Sequence, residues 1–353
     1  MSFEILSPSA QVAAHLRGQI HRNRWKKELP GTPALSAELG VDRKTVMAAI
    51  TQLEEEGLLK SQGPGRKRKI VLPRSFSPDR LNIRLIPYED ADRQLPFVLE
   101  LAHRIEQLGH SFSFSQKSMI GLCMDTKRVS HFVNSNPADA WLMIAAPKEV
   151  LEWFADQKTP AFAIFGRRRQ VKIASVGPDK QPAISHAVRR LVGLGHQRIV
   201  YLVREERRKP NPGLLERQFL EELESHGIPS GPYSLPDWQD NPGSFHQCLD
   251  RMFQHTPPSA IIIDEAQFFV AAQQHLTQRN ITAPRDVSLI CCDMHPLFDW
   301  CRPEISHIRW DQRPVVDHIV HWVGQLALGK NERKAAFTSA KFVEGGTIGP
   351  ARK

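Results

Sequence analysis

At 353 residues, with 41% hydrophobic and 24% charged side chains, the chain has the make-up of an ordinary soluble protein of two or three domains. No apolar run approaches the ~20 residues that cross a membrane, and no low-complexity tract interrupts the pattern. The formal net charge is +9, and residues 1–72 hold 12 Lys and Arg against 7 Asp and Glu, so more than half of the excess sits in the first fifth of the chain. A cationic excess gathered at one end is a nucleic-acid footprint rather than a general aid to solubility.

In that N-terminal segment the stretch from residue 29 to 70 predicts two short helices followed by a basic hairpin. Thr32 before Pro33 reads as an N-cap and a first helical residue. Gly40 suits a left-handed helix end, and Asp42 suits the cap of the next helix. Within that second helix Val46, Ile50 and Leu53 recur at four- and three-residue spacing and form one buried stripe. The opposite face then presents Arg43, Lys44, Met47 and Thr51. Gly57 ends the helix, and GPGRKRK (63–69) is a hairpin tip loaded with cations. A helix with a buried face and a cationic, hydroxyl-bearing N-terminus is what a DNA major groove accepts.

This segment resembles the GntR-type winged helix-turn-helix. The likeness is carried by LPG, SAELGV, DRKTV, LEEEGLL and the glycine-containing wing, in that order. It implies a DNA-binding domain over residues 1–72, with Arg43, Lys44 and Thr45 meeting DNA from the recognition helix. Gly63, Gly65, Arg66 and Lys67 fall in the wing. Two positions depart from the family: Pro33 stands where many members place a phosphate-binding Arg, and Met47 where many place a second base-reading Arg.

Residues 73–80 (PRSFSPDR) have two prolines, two serines and no periodicity, which predicts a linker. Beyond it strands alternate with helices. LNIRLIP (81–87) precedes an amphipathic stretch with Phe97, Leu101, Ile105 and Leu108. SFSFS (111–115), DAWLMIA (139–145), PAFAIFG (160–166), RIVYLV (198–203), AIIID (260–264) and VSLICCD (287–293) continue the series. Short continuous apolar strands with intervening helices predict an α/β fold of doubly wound parallel sheets, and the number of strands suggests two sheets.

Such sheets bind ligands beyond the carboxyl ends of their strands. There the sequence puts Tyr88 and Glu89, Arg167, Asp264 and Asp293. Carboxylates at strand ends accept paired hydrogen bonds from neighbouring hydroxyls, an Arg donates, and an aromatic ring stacks on an apolar sugar face. Trp238 is the candidate ring. The rest of RRR (167–169), and ERRK (206–209), read as solvated loop charge.

Residues 81–347 resemble the LacI/GalR effector domain, a two-lobed periplasmic-binding-protein-like fold. The markers are HAVRRLVGLGHQRIVYL (186–202), PPSAIIIDEAQFFVAAQQHL (257–276), APRDVSLICCD (283–293) and PEISHIRW (303–310). The resemblance makes residues 81–353 an effector-binding and dimerisation domain. It also implies that Asp264 and Asp293 hydrogen-bond a sugar and that Trp238 stacks on it. It departs at Leu215, where the family often has a ligand-binding Arg, with Arg217 about half a turn away. The combined architecture is similar to arabinose-repressor-like bacterial regulators. It implies a homodimer on an inverted-repeat operator in double-stranded DNA, controlled by a small hydroxylated effector, with repression as the expectation.

The alternatives are a nucleoside or purine effector, and an α/β enzyme fused to a DNA-binding head. For the enzyme there is no Gly-rich phosphate loop and no Gly-x-Ser-x-Gly elbow. His318 and His321 are three apart on a predicted helix but lack a third metal ligand, so neither metal nor cofactor is expected. The five cysteines (Cys123, Cys248, Cys291, Cys292 and Cys301) form no C-x-x-C pair, which suits reduced thiols. With no cationic leader before an apolar core at the N-terminus, a cytoplasmic protein with no membrane partner is expected.

Overall fold

The structure, a computed structural model, describes residues 7–21, 24–25, 27–63, 66–71, 80–209 and 211–352, the side chain of Glu206 excepted. In the head, helices α1 (Pro8–His21), α2 (Thr32–Leu39) and α3 (Arg43–Glu55) precede a hairpin of β1 (Leu59–Lys60) and β2 (Lys69–Ile70). Val46, Ile50 and Leu53 are buried as their spacing predicts. They meet Val12, Leu16 and Ile20, a four-residue stripe on α1, together with Leu35, Leu59 and Ile70. Asp42 caps α3 by accepting the Thr45 N–H at 2.9 Å, and Gly40 closes α2 at φ +65°. The cap of α2 differs from expectation. The Gly31 carbonyl accepts from Ala34 and Leu35, so the helix begins one residue before the Thr-Pro pair suggests.

In the body, ten strands follow one hydrogen-bonded order, β4-β3-β5-β6-β7-β12-β11-β10-β9-β8. The first lobe holds β3 (Asn82–Ile86), β4 (Ser111–Phe114), β5 (Ala140–Ile144), β6 (Ala161–Ile164) and β7 (Ala174–Asp179), all parallel. The second holds β8 (Ile199–Leu202), β9 (Ala260–Ile263), β10 (Ser288–Cys291) and β11 (Ser306–Trp310), also parallel. The two expected sheets are joined by β12 (Ala335–Val343). Its Ala335–Ser339 half runs parallel to β7, and its Ala340–Val343 half runs antiparallel to β11. Strands β7, β11 and β12 are absent from the sequence reading.

Both faces of each lobe are covered, which is why most strands are continuously apolar. In the first lobe α4 (Pro96–Gln107) and α12 (Arg313–Ala327) pack on one face, and α5 (Thr126–Ser135) and α6 (Lys148–Ala155) on the other. In the second, α7 (Gln181–Gly193) and, after the one-turn α8 (Glu205–Arg208), α9 (Leu214–Ser225) lie opposite α10 (Pro242–His255) and α11 (Ala266–Thr277). Cys291 and Cys292 enter cores on opposite faces of β10, as neighbours on a strand do, and all five cysteines are free. Arg80 apart, the expected linker 73–80 lies outside the described residues. Among the described residues no helix is long and apolar enough to cross a membrane.

Leu53 is fully buried where α1 and α3 meet. Leu53→Ala should destabilise the head by about 2–5 kcal/mol. Amide hydrogen exchange across α1 and α3 checks this, and unchanged protection there would refute the packing.

Candidate functional site

Two surfaces stand out, one on the head and one between the lobes. On the head, Arg43 and Lys44 are exposed in the first turn of α3 and form no ion pair among the described residues. The Thr45 hydroxyl donates to Asp42 at 2.6 Å, so it serves the cap. Met47 is 41% exposed, with the Thr32 hydroxyl 3.3 Å from its sulfur. In the wing Gly63 holds φ +108°, and Arg66 and Lys67 are exposed and form no ion pair among the described residues. Arg68 differs, its guanidinium lying 3.2 Å from Glu54 of the recognition helix. Gly65 lies outside the described residues.

The second surface is the cleft at the carboxyl ends of both sets of strands. Asp264 follows β9 and is 2% exposed. It pairs closely with Arg207 and lies 3.4 Å from the Tyr201 hydroxyl. Burial drives the Tyr201 phenol well above its usual range and pushes the adjoining Cys292 thiol up to about 12, so both stay protonated. Glu216, also buried, is raised by desolvation against the pull of Arg207. Its carboxylate lies against the backbone of Gly213, where an added Cβ would displace it.

The next strand end belongs to Arg204, a buried guanidinium. It makes two hydrogen bonds to Glu265, at 3.0 and 3.1 Å, and one to Asp240 at 2.7 Å. It reaches across the cleft to Glu89 at 3.4 Å and lies over the Tyr88 ring, 5.5 Å from its centre. Burial alone would lower its pKa, but the carboxylates around it raise it further. Arg167 makes a second crossing, donating to the carbonyls of Arg207 at 2.9 Å and Asn211 at 3.0 Å. Asp293, after β10, accepts from the Trp310 indole at 2.7 Å and lies 3.4 Å from the Lys180 ammonium. On the first-lobe side Ala145 and Phe165 hold positive φ of 48° and 60° at the ends of β5 and β6. Such strained backbone costs about 1–3 kcal/mol per residue and gathers at ligand-facing positions.

Of the predicted cleft residues, Tyr88, Arg167, Asp264 and Asp293 are thus brought together. Trp238 is not. It is 2% exposed, with the edges and faces of Phe245 and Phe268 against it at 5.0 Å, which leaves no open face for a sugar. The basic runs are also not solvated as expected. Arg168 is buried, donating to the Gly177 carbonyl and lying over Phe337, and Arg208 is buried on Asp237. The guanidinium that meets Asp264 is that of Arg207, while Arg217 turns back to the Pro212 carbonyl. Arg204 and Arg207 are the residues that sequence reasoning missed. Their one visible signal is the density of Arg directly after an apolar strand. Among the described residues no group of three or more His, Cys, Asp or Glu is placed to hold a metal ion.

Residues 8–66 match the family described as bacterial regulatory proteins, gntR family, and residues 188–348 match the periplasmic binding protein-like domain. The chain joins a gntR-family head to a periplasmic-binding-protein-like body. It is 24% identical over 170 residues to the HTH-type transcriptional regulator AscG of Escherichia coli K12, a match over 47% of this chain and 49% of that regulator. The chain thus spans about half the length of that relative. A transcriptional regulator CelR–cellobiose complex has a TM-score of 0.63 at 16% identity, over 90% of this chain and all of the other. A LacI family regulator from Enterococcus faecium with bound ribose has a TM-score of 0.60 at 14% identity, over 76% and 99%. At these identities the structural likenesses establish the fold.

Burial beside Asp264 pushes Glu265 up to about 7, against the attraction of Arg204. Its folded value therefore lies above the ordinary 4.5, so the native state holds more protons than the unfolded chain between those two pH values. Stability should fall as pH rises from about 4.5 to 7, and Glu265→Gln should flatten that part of a Tm-against-pH curve. An unchanged slope in the variant would place the proton elsewhere. Arg204→Met, which leaves three carboxylates without their cation, should cost about 3–5 kcal/mol in a denaturant titration; a loss under 1 kcal/mol would contradict the role given to this cluster.

Proposed function

We propose that this protein is a sequence-specific, DNA-binding transcription regulator, a repressor that acts as a homodimer in the cytoplasm. Its operator affinity is set by a small hydroxylated effector, a sugar, held between the two lobes. The observation that carries this reading is one chain with cations on its recognition helix and wing that have no ion-pair partner among the described residues, joined to a two-lobed body with ionic side chains facing across the cleft. Arg43 and Lys44 read base edges, Thr45 fixes the start of the helix, and the wing around Gly63 and Gly65 brings Arg66 and Lys67 to phosphate. Two heads in a two-fold dimer read the half-sites of an inverted repeat.

In the cleft, Asp264 and Asp293 accept hydroxyl hydrogens, Arg167 and Arg207 donate, and the Tyr88 ring borders the ligand. The effector works by its different affinity for the two lobe arrangements, which it shifts by replacing the Arg204–Glu89 and Arg167–carbonyl contacts with its own. The ribose and cellobiose carried by proteins of this fold support the choice of a sugar. No catalytic role or cofactor is part of this reading.

Selection of random duplex DNA by the purified chain, followed by sequencing, tests it. An inverted repeat whose affinity changes on adding a sugar from a panel that includes ribose and cellobiose is the expected result. A folded protein that enriches no sequence, with or without cell extract, would refute it. Two variants localise the contacts. Arg43→Ala should weaken operator binding and relax preference at one position per half-site by about 1–3 kcal/mol. Neutralising Arg66 and Lys67 should reduce the slope of log affinity against log salt by roughly two per head, and an unaltered slope would take both off the phosphate backbone.

A further inference from the structure

The first turn of the recognition helix α3 is cationic, but the outward face of its second turn is apolar. Met47, Ala48 and Thr51 are all exposed there, on neighbouring positions of one helix surface. Met47 follows Arg43 by four residues and Lys44 by three, so that surface runs without a break from the cations onto the strip.

The polar atoms of the strip are already engaged within the head. The Thr51 hydroxyl donates to the Met47 carbonyl at 3.1 Å, which leaves its methyl group as the part free to meet a partner. The Thr32 hydroxyl donates to the Met47 sulfur at 3.3 Å and ties the thioether to the start of α2. Gln52, at the edge of the strip, donates to Glu56 at 3.1 Å. One turn further along, the face ends in carboxylates. Glu54 pairs with Arg68, and Glu55 is exposed with no ion pair among the described residues. Negative charge there repels phosphate, which confines close contact with DNA to the first two turns. A single exposed methionine needs no explanation. Three adjoining apolar groups between cations and carboxylates fit a partner that is apolar yet lies in a polyanion's groove. In the major groove that partner is the 5-methyl group of thymine.

We infer that this strip, led by Met47 and the Thr51 methyl group, reads thymine methyl groups, so that each half-site carries thymine beside the base pairs met by Arg43 and Lys44. The inference rests on the reading of the head as a sequence-specific DNA-binding domain. Arg43 and Lys44 supply hydrogen bonds and charge, whereas the strip discriminates by burial of apolar surface alone. One methyl group buried against it is worth about fourfold in affinity.

The experiment starts from the duplex that the full-length chain enriches from random DNA. Each thymine of one half-site is replaced in turn by deoxyuridine, which removes the methyl group and keeps every hydrogen-bonding atom. Fluorescence anisotropy at fixed salt should show a loss of about fourfold at one or more positions. Met47→Ala and Thr51→Ser, both at exposed positions, should weaken binding to the thymine duplex. At a sensitive position at least one of them should abolish the response to deoxyuridine. The slope of log affinity against log salt should stay unchanged in both, because no phosphate contact is lost. A half-site without thymine, or one in which no deoxyuridine lowers affinity, overturns the inference and leaves the DNA-binding reading standing. So does a deoxyuridine effect that persists undiminished in both variants, because another part of the head then meets the methyl groups. A folded protein that enriches no sequence overturns the inference together with the reading beneath it.

Discussion

The rest of the body's architecture depends on one buried cation. Taking a guanidinium out of water costs several kcal/mol unless charges and hydrogen bonds replace the solvent. Arg204 meets that requirement with Glu265 and Asp240 from its own lobe and Glu89 from the other. It also lies over the rings of Tyr88 and Phe268. The same set of bonds therefore satisfies the charge and sets the distance between the lobes. Opening the cleft removes Glu89 and Tyr88 from the cluster but leaves Glu265 and Asp240 in place. The cation is then still paired, which makes separation of the lobes a modest step and not a local unfolding.

That arrangement also explains why acids at the strand ends were legible while their partners were not. Asp264 and Asp293 each close an apolar strand run, so their position follows from the pattern alone. Arg204 and Arg207 lie in a dense basic stretch whose composition is that of a solvated loop. Only the three-dimensional meeting of β8 with β9 gives them buried partners. Trp238 shows the reverse case. Its sequence position matches a ligand-facing aromatic, but Phe245 and Phe268 close around it. Phe268 comes from a different helix, α11.

The missed strands have a common physical cause. The most apolar of those read, such as β5 and β9, are buried along their whole length. Strand β12 lies between the lobes and has one buried residue in nine, so no apolar run announces it. Strand β7 ends in Gly-Pro-Asp and β11 carries His and Arg, which lowers the signal in both. In the head, by contrast, periodicity and capping chemistry are local. There the reading of α2 and α3 holds nearly to the residue, apart from the start of α2, whereas α1 is absent from it.

Because β12 changes partner between Ser339 and Ala340, it acts mechanically as an axle. Each half is pinned by its own ladder of hydrogen bonds, so neither lobe slides along the strand without breaking a ladder. The freedom left to the pair is twist about the strand axis, taken up by the φ and ψ angles of Ser339 and Ala340. Torsion moves points in proportion to their distance from the axis, and the chain enters the first lobe at the amino end of β3, the end away from the cleft. A small twist at the axle is thereby geared into a larger sweep at the point where the head is attached. That distance from the axis is set by the four strand spacings that separate β3 from β12 and not by the chemistry of what the cleft holds.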